Sequence, residues 1–155
     1  MMSFEDGPNF GVGEENQRFV LLRHELPRND PPGSHWDLIL EFDSNNFTLQ
    51  LLALPPNCPP SLRLRAKRLA DHRSLYFTYE GPISGDRGQV ERIAWGYWQT
   101  AIHPCAETMV SLGQSNCIKL VGSRLTATIQ FPNIQSWRNG EEKLIEVHGW
   151  RLSSA

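Results

Sequence analysis

The stretch His35–Phe42, "HWDLILEF", decides how this chain folds. Side chains in a strand alternate between two faces. Trp36, Leu38, Leu40 and Phe42 then share one face and form an apolar stripe. His35, Asp37, Ile39 and Glu41 share the other. A half-buried strand therefore carries an imidazole and a carboxylate in adjacent positions of its second row.

Working outward, short apolar runs of the same kind recur along the chain. "RFVLLR" (18–23), "FTLQLLAL" (47–54), "SLYFTYE" (74–80) and "QVERIAWGYW" (89–98) read as strands, as do "CIKLVG" (117–122), "RLTATIQF" (124–131) and "KLIEVHGW" (143–150). They are rich in Val, Ile, Thr and aromatic residues and are bounded by Asn, Asp, Gly and Pro. "DSNN" (43–46), "GS" (122–123) and "NG" (139–140) read as turns. The one helical candidate is "PSLRLRAKRLA" (60–70). About eight short strands predict an all-β domain, a small closed or partly open antiparallel barrel with little helix. The 155 residues suit one domain. Residues 17–152 are expected to form it, with residues 1–16 an acidic, aperiodic tail.

The 15 Lys and Arg residues nearly balance the 17 Asp and Glu, for a net charge of −2. That balance argues against bulk electrostatic binding to nucleic acid and leaves room for a local basic groove. The cysteines Cys58, Cys105 and Cys117 have no metal-ligand spacing and read as free thiols in a reducing compartment. No run approaches a membrane span, and the N-terminus lacks signal-peptide character. The expectation is a cytoplasmic protein with no membrane partner.

Two clusters carry chemistry. Residues i and i+2 of a strand stand about 6.5–7 Å apart, so His35 and Asp37 can converge on one metal ion, phosphate or water. The plainer alternative is a solvated strand face. His24, at the end of "RFVLLRH", becomes the third candidate ligand if its strand pairs with His35–Phe42. Two imidazoles and a carboxylate leave coordination positions open, as metal-assisted hydrolysis requires. The same set suits an Fe(II) enzyme. The second cluster is "KRLADHRSLYFTYEGPISGDRG" (67–88), where Lys67, Arg68 and Arg73 surround His72. Tyr76 follows on the same face if the chain is extended, and Arg87 closes a Gly-rich loop. His, Tyr and Arg are donors suited to a phosphate. The alternative is a hairpin with a basic rim over Leu75, Phe77 and Tyr79. His103 and His148 have no such company and read as structural or surface residues. Trp95, Trp98, Trp137 and Trp150 read as packing of the barrel core or its rim, with a base-stacking platform as the alternative.

The chain resembles the 3′-phosphoesterase domain of bacterial DNA ligase D proteins, a domain that also occurs alone. The resemblance rests on "RFVLLRH" followed by "HWDLILE", on "KRLADHRSLYFTYEGPISGDRGQVERIAWGYW" (67–98), and on "IKLVGSRLTATIQF" (118–131). It runs from about residue 17 to 131 and more weakly beyond. It implies a barrel with a crescent-like groove and a divalent metal, typically Mn²⁺. It further implies removal of 3′-phosphates or 3′-ribonucleotides from DNA or RNA/DNA ends in end repair, with a separate ligase or polymerase as partner and nucleoid association. His24, His35 and Asp37 match the family's metal ligands, His72 its phosphate-contacting histidine and Tyr76 its active-site tyrosine. Two positions depart. Ile39 stands where the family has a phosphate-binding Arg, and Ala70 where it has Glu. Arg28, Arg73 and Arg87 are the candidate replacement cations for phosphate. A barrel that has lost catalysis and binds nucleic-acid ends or a partner is the alternative function.

Overall fold

The computed structural model describes residues 17–26, 34–42, 45–57, 61–85, 87–101 and 115–153. The proposed tail 1–16, the Pro-rich connection with Arg28, the tip of the "DSNN" turn, Cys58, His103 and Cys105 lie outside these residues.

Nine strands follow one another: β1 Arg18–Glu25, β2 His35–Glu41, β3 Asn46–Leu51, β4 Leu62–Leu69, β5 Gly81–Pro82, β6 Gln89–Thr100, β7 Ser115–Gly122, β8 Leu125–Pro132 and β9 Glu142–Leu152. They hydrogen-bond in the order β1-β2-β3-β4-β9-β8-β7-β6, and β6 pairs back onto β1. Every pairing is antiparallel. Eight strands thus close into a barrel, and the two-residue β5 attaches to the free edge of β6 at Val90 and Gln89. No described helix is long and apolar enough to cross a membrane.

Strand parity places the core inside. Phe19, Leu21, Leu38, Leu40, Leu49, Ile129 and Val147 point inward with Trp98, Trp137 and Trp150. An eight-stranded barrel is just wide enough to be filled by side chains. The described core side chains pack this interior, and the second face of β2 is on the outer wall.

Two local expectations are corrected. Residues 60–70 are not helical: Leu62–Leu69 is a strand between β3 and β9. Leu, Arg, Ala and Lys are good helix formers, but Leu62, Leu64 and Ala66 alternate with Arg63, Arg65 and Lys67, and the period of two prevails. Residues 74–80 are not a strand either. Ser74–Phe77 forms a 3₁₀ turn. This segment joins no ladder and instead crosses the outer wall. Phe77 is its anchor and packs onto Val20, Leu22, Ile39 and Val90 in a second, smaller core, while Leu75 stays exposed.

A candidate metal centre on the outer wall

The pairing of β1 with β2 sets His24 directly opposite His35, and Leu22 opposite Asp37. Parity then aims His24, His35 and Asp37 at the same outward space. His24 Nδ1 lies 3.2 Å from His35 Nε2. His35 Nε2 lies 3.3 Å from Asp37 Oδ1, and His24 Nδ1 lies 3.9 Å from Asp37 Oδ2. Donors about 2.1 Å from one ion on one coordination face stand roughly 3.0–3.4 Å apart. The two contacts of His35 match that spacing, and His24 approaches the other Asp37 oxygen at a slightly wider distance. All three ligand atoms lie within 4.8 Å of one another.

The protonation pattern also fits a cation. His24 Nε2 sits 2.9 Å from the carbonyl oxygen of Arg87. A carbonyl only accepts, so Nε2 carries the proton and Nδ1 offers its lone pair to the cluster. Gly88 makes this contact attainable. Its φ is +91°, and a Cβ there would run into the backbone of Glu25, so the loop lies directly on the end of β1. Asp37 is 1% exposed, and its Oδ1 has no hydrogen-bond partner. Its approach to His35 lacks hydrogen-bond geometry. A buried carboxylate oxygen left unpaired is costly, and a cation beside the two imidazoles would satisfy it.

His72 completes the cluster from the crossing segment. Its Nε2 lies 3.3 Å from Asp37 Oδ2 and its Nδ1 3.2 Å from the carbonyl of Ala70. Both ring nitrogens face acceptors, which is the pattern of an imidazolium. Burial alone would lower its pKa, but the hydrogen bond and charge of Asp37 outweigh it and hold His72 above the ordinary value. For Asp37, burial acts upward, and contact with His35 and His72 brings the carboxyl below the usual range. The backbone on both sides of His72 is pinned by β3. Its N–H donates to Thr48 Oγ1, and Asn46 Nδ2 donates to its carbonyl and to Ser74 Oγ.

His24, Asp37 and His72 open into a cleft of about 480 Å³ that is also lined by Asp71, Arg73, Tyr76, Ile83, Ser84 and Arg87, with the buried His35 behind them. The Tyr76 ring stands 5.7 Å from that of His72. The same-face relation expected from an extended backbone is thus produced by a 3₁₀ turn. Arg73 is exposed at the rim. Arg87 is tethered through Nε to the carbonyl of Ser84. Ile39 is fully buried in the second core under Phe77, so position 39 contributes nothing to the cleft. Lys67 lies outside the cleft lining, and Arg68 turns the other way, over the Phe47 ring in the barrel. His148 sits on β9, 3.9 Å from Glu146.

Asn46, Thr48, Asp71 and Ser84 were not singled out by motif reading. The first two had a signal: in "NFTLQL" the polar Asn46, Thr48 and Gln50 alternate with the core-facing Phe47, Leu49 and Leu51. No protein-family model matches the chain, and no curated protein matches it.

Proposed function

We propose that the protein is a divalent-metal-dependent phosphoesterase acting on phosphate at the 3′ ends of DNA or RNA/DNA. The observation that carries this reading is the clustering of His24, His35 and Asp37 with a cationic His72 beside one open cleft. An ion held by the first three, Mn²⁺ in this reading, would polarise a phosphoryl oxygen and acidify a water. His72 would turn an N–H toward a phosphoryl oxygen, a charge-assisted hydrogen bond. Arg73 adds positive charge at the rim, and Tyr76 borders the bound phosphate beside His72. Arg87 acts chiefly through its backbone, by orienting His24. The resemblance to the ligase D phosphoesterase family supports the same assignment.

Ile39 motivates a second reading. A missing bidentate Arg removes a charge-assisted donor, which is worth roughly 10²–10³ in rate at such sites. A barrel without it can serve as a non-catalytic binder of nucleic-acid ends. The test is phosphate release from a 3′-phosphate-ended primer-template with Mn²⁺ present. The catalytic reading expects turnover that is abolished by chelation and by His24→Ala. Tight binding of the same ends without release, in any divalent metal tried, would establish the binding module instead.

A further inference from the structure

The tryptophans divide between the barrel interior and its outer wall. Trp98, Trp137 and Trp150 are buried inside, but Trp95 is half-buried on the outer wall of β6. Arg92 places its guanidinium 4.0 Å from the Trp95 ring centre, and Arg124 approaches it to 5.5 Å. Tyr97, two residues on and on the same face, is 46% exposed. Across β1 it stands opposite Arg18, whose guanidinium is occupied by Glu41. Lys119 is exposed one step further along the outer face of β7, opposite Gln99. Among the described residues, Arg92, Lys119 and Arg124 form no ion pair with a carboxylate. Beyond the Phe77 cover, the wall from Trp95 to Lys119 is therefore aromatic and positively charged on a chain whose net charge is −2.

The strand register sets the distance from the cleft to this face, with the Phe77 cover between them. Asp37 faces Leu22 on β1, and Leu22 faces Arg92 on β6; Ile39, Val20 and Trp95 form the next row, and Glu41, Arg18 and Tyr97 the one after. Rows lie about 6.5–7 Å apart, so Tyr97 is roughly two rows beyond the metal centre. That reach corresponds to a few nucleotides of an extended strand. The other end of β6 is unsuited to a polyanion, because the depression there carries Glu25, Glu80 and Glu91 against Arg23.

We propose that the face formed by Trp95 and Tyr97 of β6, Lys119 of β7 and Arg124 of the β7–β8 turn binds the unpaired nucleic-acid strand whose 3′ end enters the cleft. Tyr97 stacks on a base, and Arg124, with Lys119, neutralises backbone phosphates. Stacking on an exposed ring needs unpaired bases, which selects a single strand over a duplex. The proposal rests on the nucleic-acid reading above, and its test separates the two. Labelled single-stranded 3′-phosphate oligonucleotides, a dinucleotide and a ten-mer, are titrated by fluorescence anisotropy in the presence of chelator. Both Tyr97 and Arg124 reach solvent, so Tyr97→Ala with Arg124→Glu leaves the fold in place, checked by an unchanged thermal melt.

The expected result is a ten-mer bound at least about tenfold more tightly than the dinucleotide. The double variant should lose that advantage while keeping dinucleotide affinity. Arg124→Ala alone should reduce the slope of log affinity against log salt by about 0.7. Equal ten-mer affinity in natural and variant chains, or preference for a ten-base-pair duplex, overturns the strand surface alone. Failure of the natural chain to bind either oligonucleotide overturns the nucleic-acid reading as well.

Discussion

At the scale of single residues, the chemistry turns on the contact of Asp37 with His72. The pKa of His72 is raised in the folded chain, so its contribution is complete below the unfolded value of about 6.5 and fades as pH climbs through the folded value. Asp37 is shifted down, so its contribution is complete above the unfolded value of about 3.9 and is lost as pH falls through the lower folded one. The metal-free protein should thus lose stability through His72 as pH rises from about 6.5 through the higher folded value. Urea unfolding in chelator should show a steeper fall for the natural chain than for His72→Gln. Parallel falls would mean that His72 is uncharged in the fold. Ile39 shows the limit of reading one position. Its sequence setting marks it as the place of a missing phosphate donor. Its structural setting is a closed core under Phe77.

At the scale of elements, the crossing segment 70–88 determines whether the site exists, because it brings His72, Tyr76 and the Arg87 carbonyl to β1 and β2. Phe77 fixes it from below, with the Arg18 guanidinium 4.6 Å over its ring. Phe77→Ala should cost about 3–5 kcal/mol in chemical denaturation. Ile39→Arg buries a charge in the same place and should be similarly destabilising. An Arg at 39 therefore cannot restore a phosphate contact without displacing this cover. Thr48 fixes the segment from the side. It is fully buried, donates to the Asn46 carbonyl and accepts from the His72 N–H. Thr48→Val should cost about 1–3 kcal/mol and reduce turnover in the phosphate-release assay. Thr48→Ser, which keeps the hydroxyl, should recover most of both; a Ser variant as impaired as Val would contradict the hydrogen-bond account.

At the scale of the whole molecule, the barrel was legible because its strands are half-buried. Period-two alternation in β2, β8 and β9 states both the element and its inward face. Antiparallel order and approximate strand number follow from turn spacing. Alternation could not reveal that the barrel closes through β1 and β6. That closure depends on register between strands some seventy residues apart, which no local pattern encodes. The strand expected at 74–80 failed for the same reason, since its β-propensity does not say which ladder it joins, and Phe77 packs on the outer wall instead. The site was legible in part. His24, His35 and Asp37 followed from parity and one pairing, whereas the holding roles of Thr48, Asn46 and the Arg87 carbonyl are contacts across distant sequence.

The central claim is that the outer wall of β1 and β2 builds a metal centre. Isothermal titration of the purified, chelator-stripped protein with Mn²⁺ tests it most directly, with Asp37→Asn measured alongside. The account predicts one ion bound per chain, and at least about a hundredfold weaker binding in Asp37→Asn, beyond the loss usual for an outer ligand partner. An absence of binding in the natural chain, or equal binding in both proteins, would contradict it.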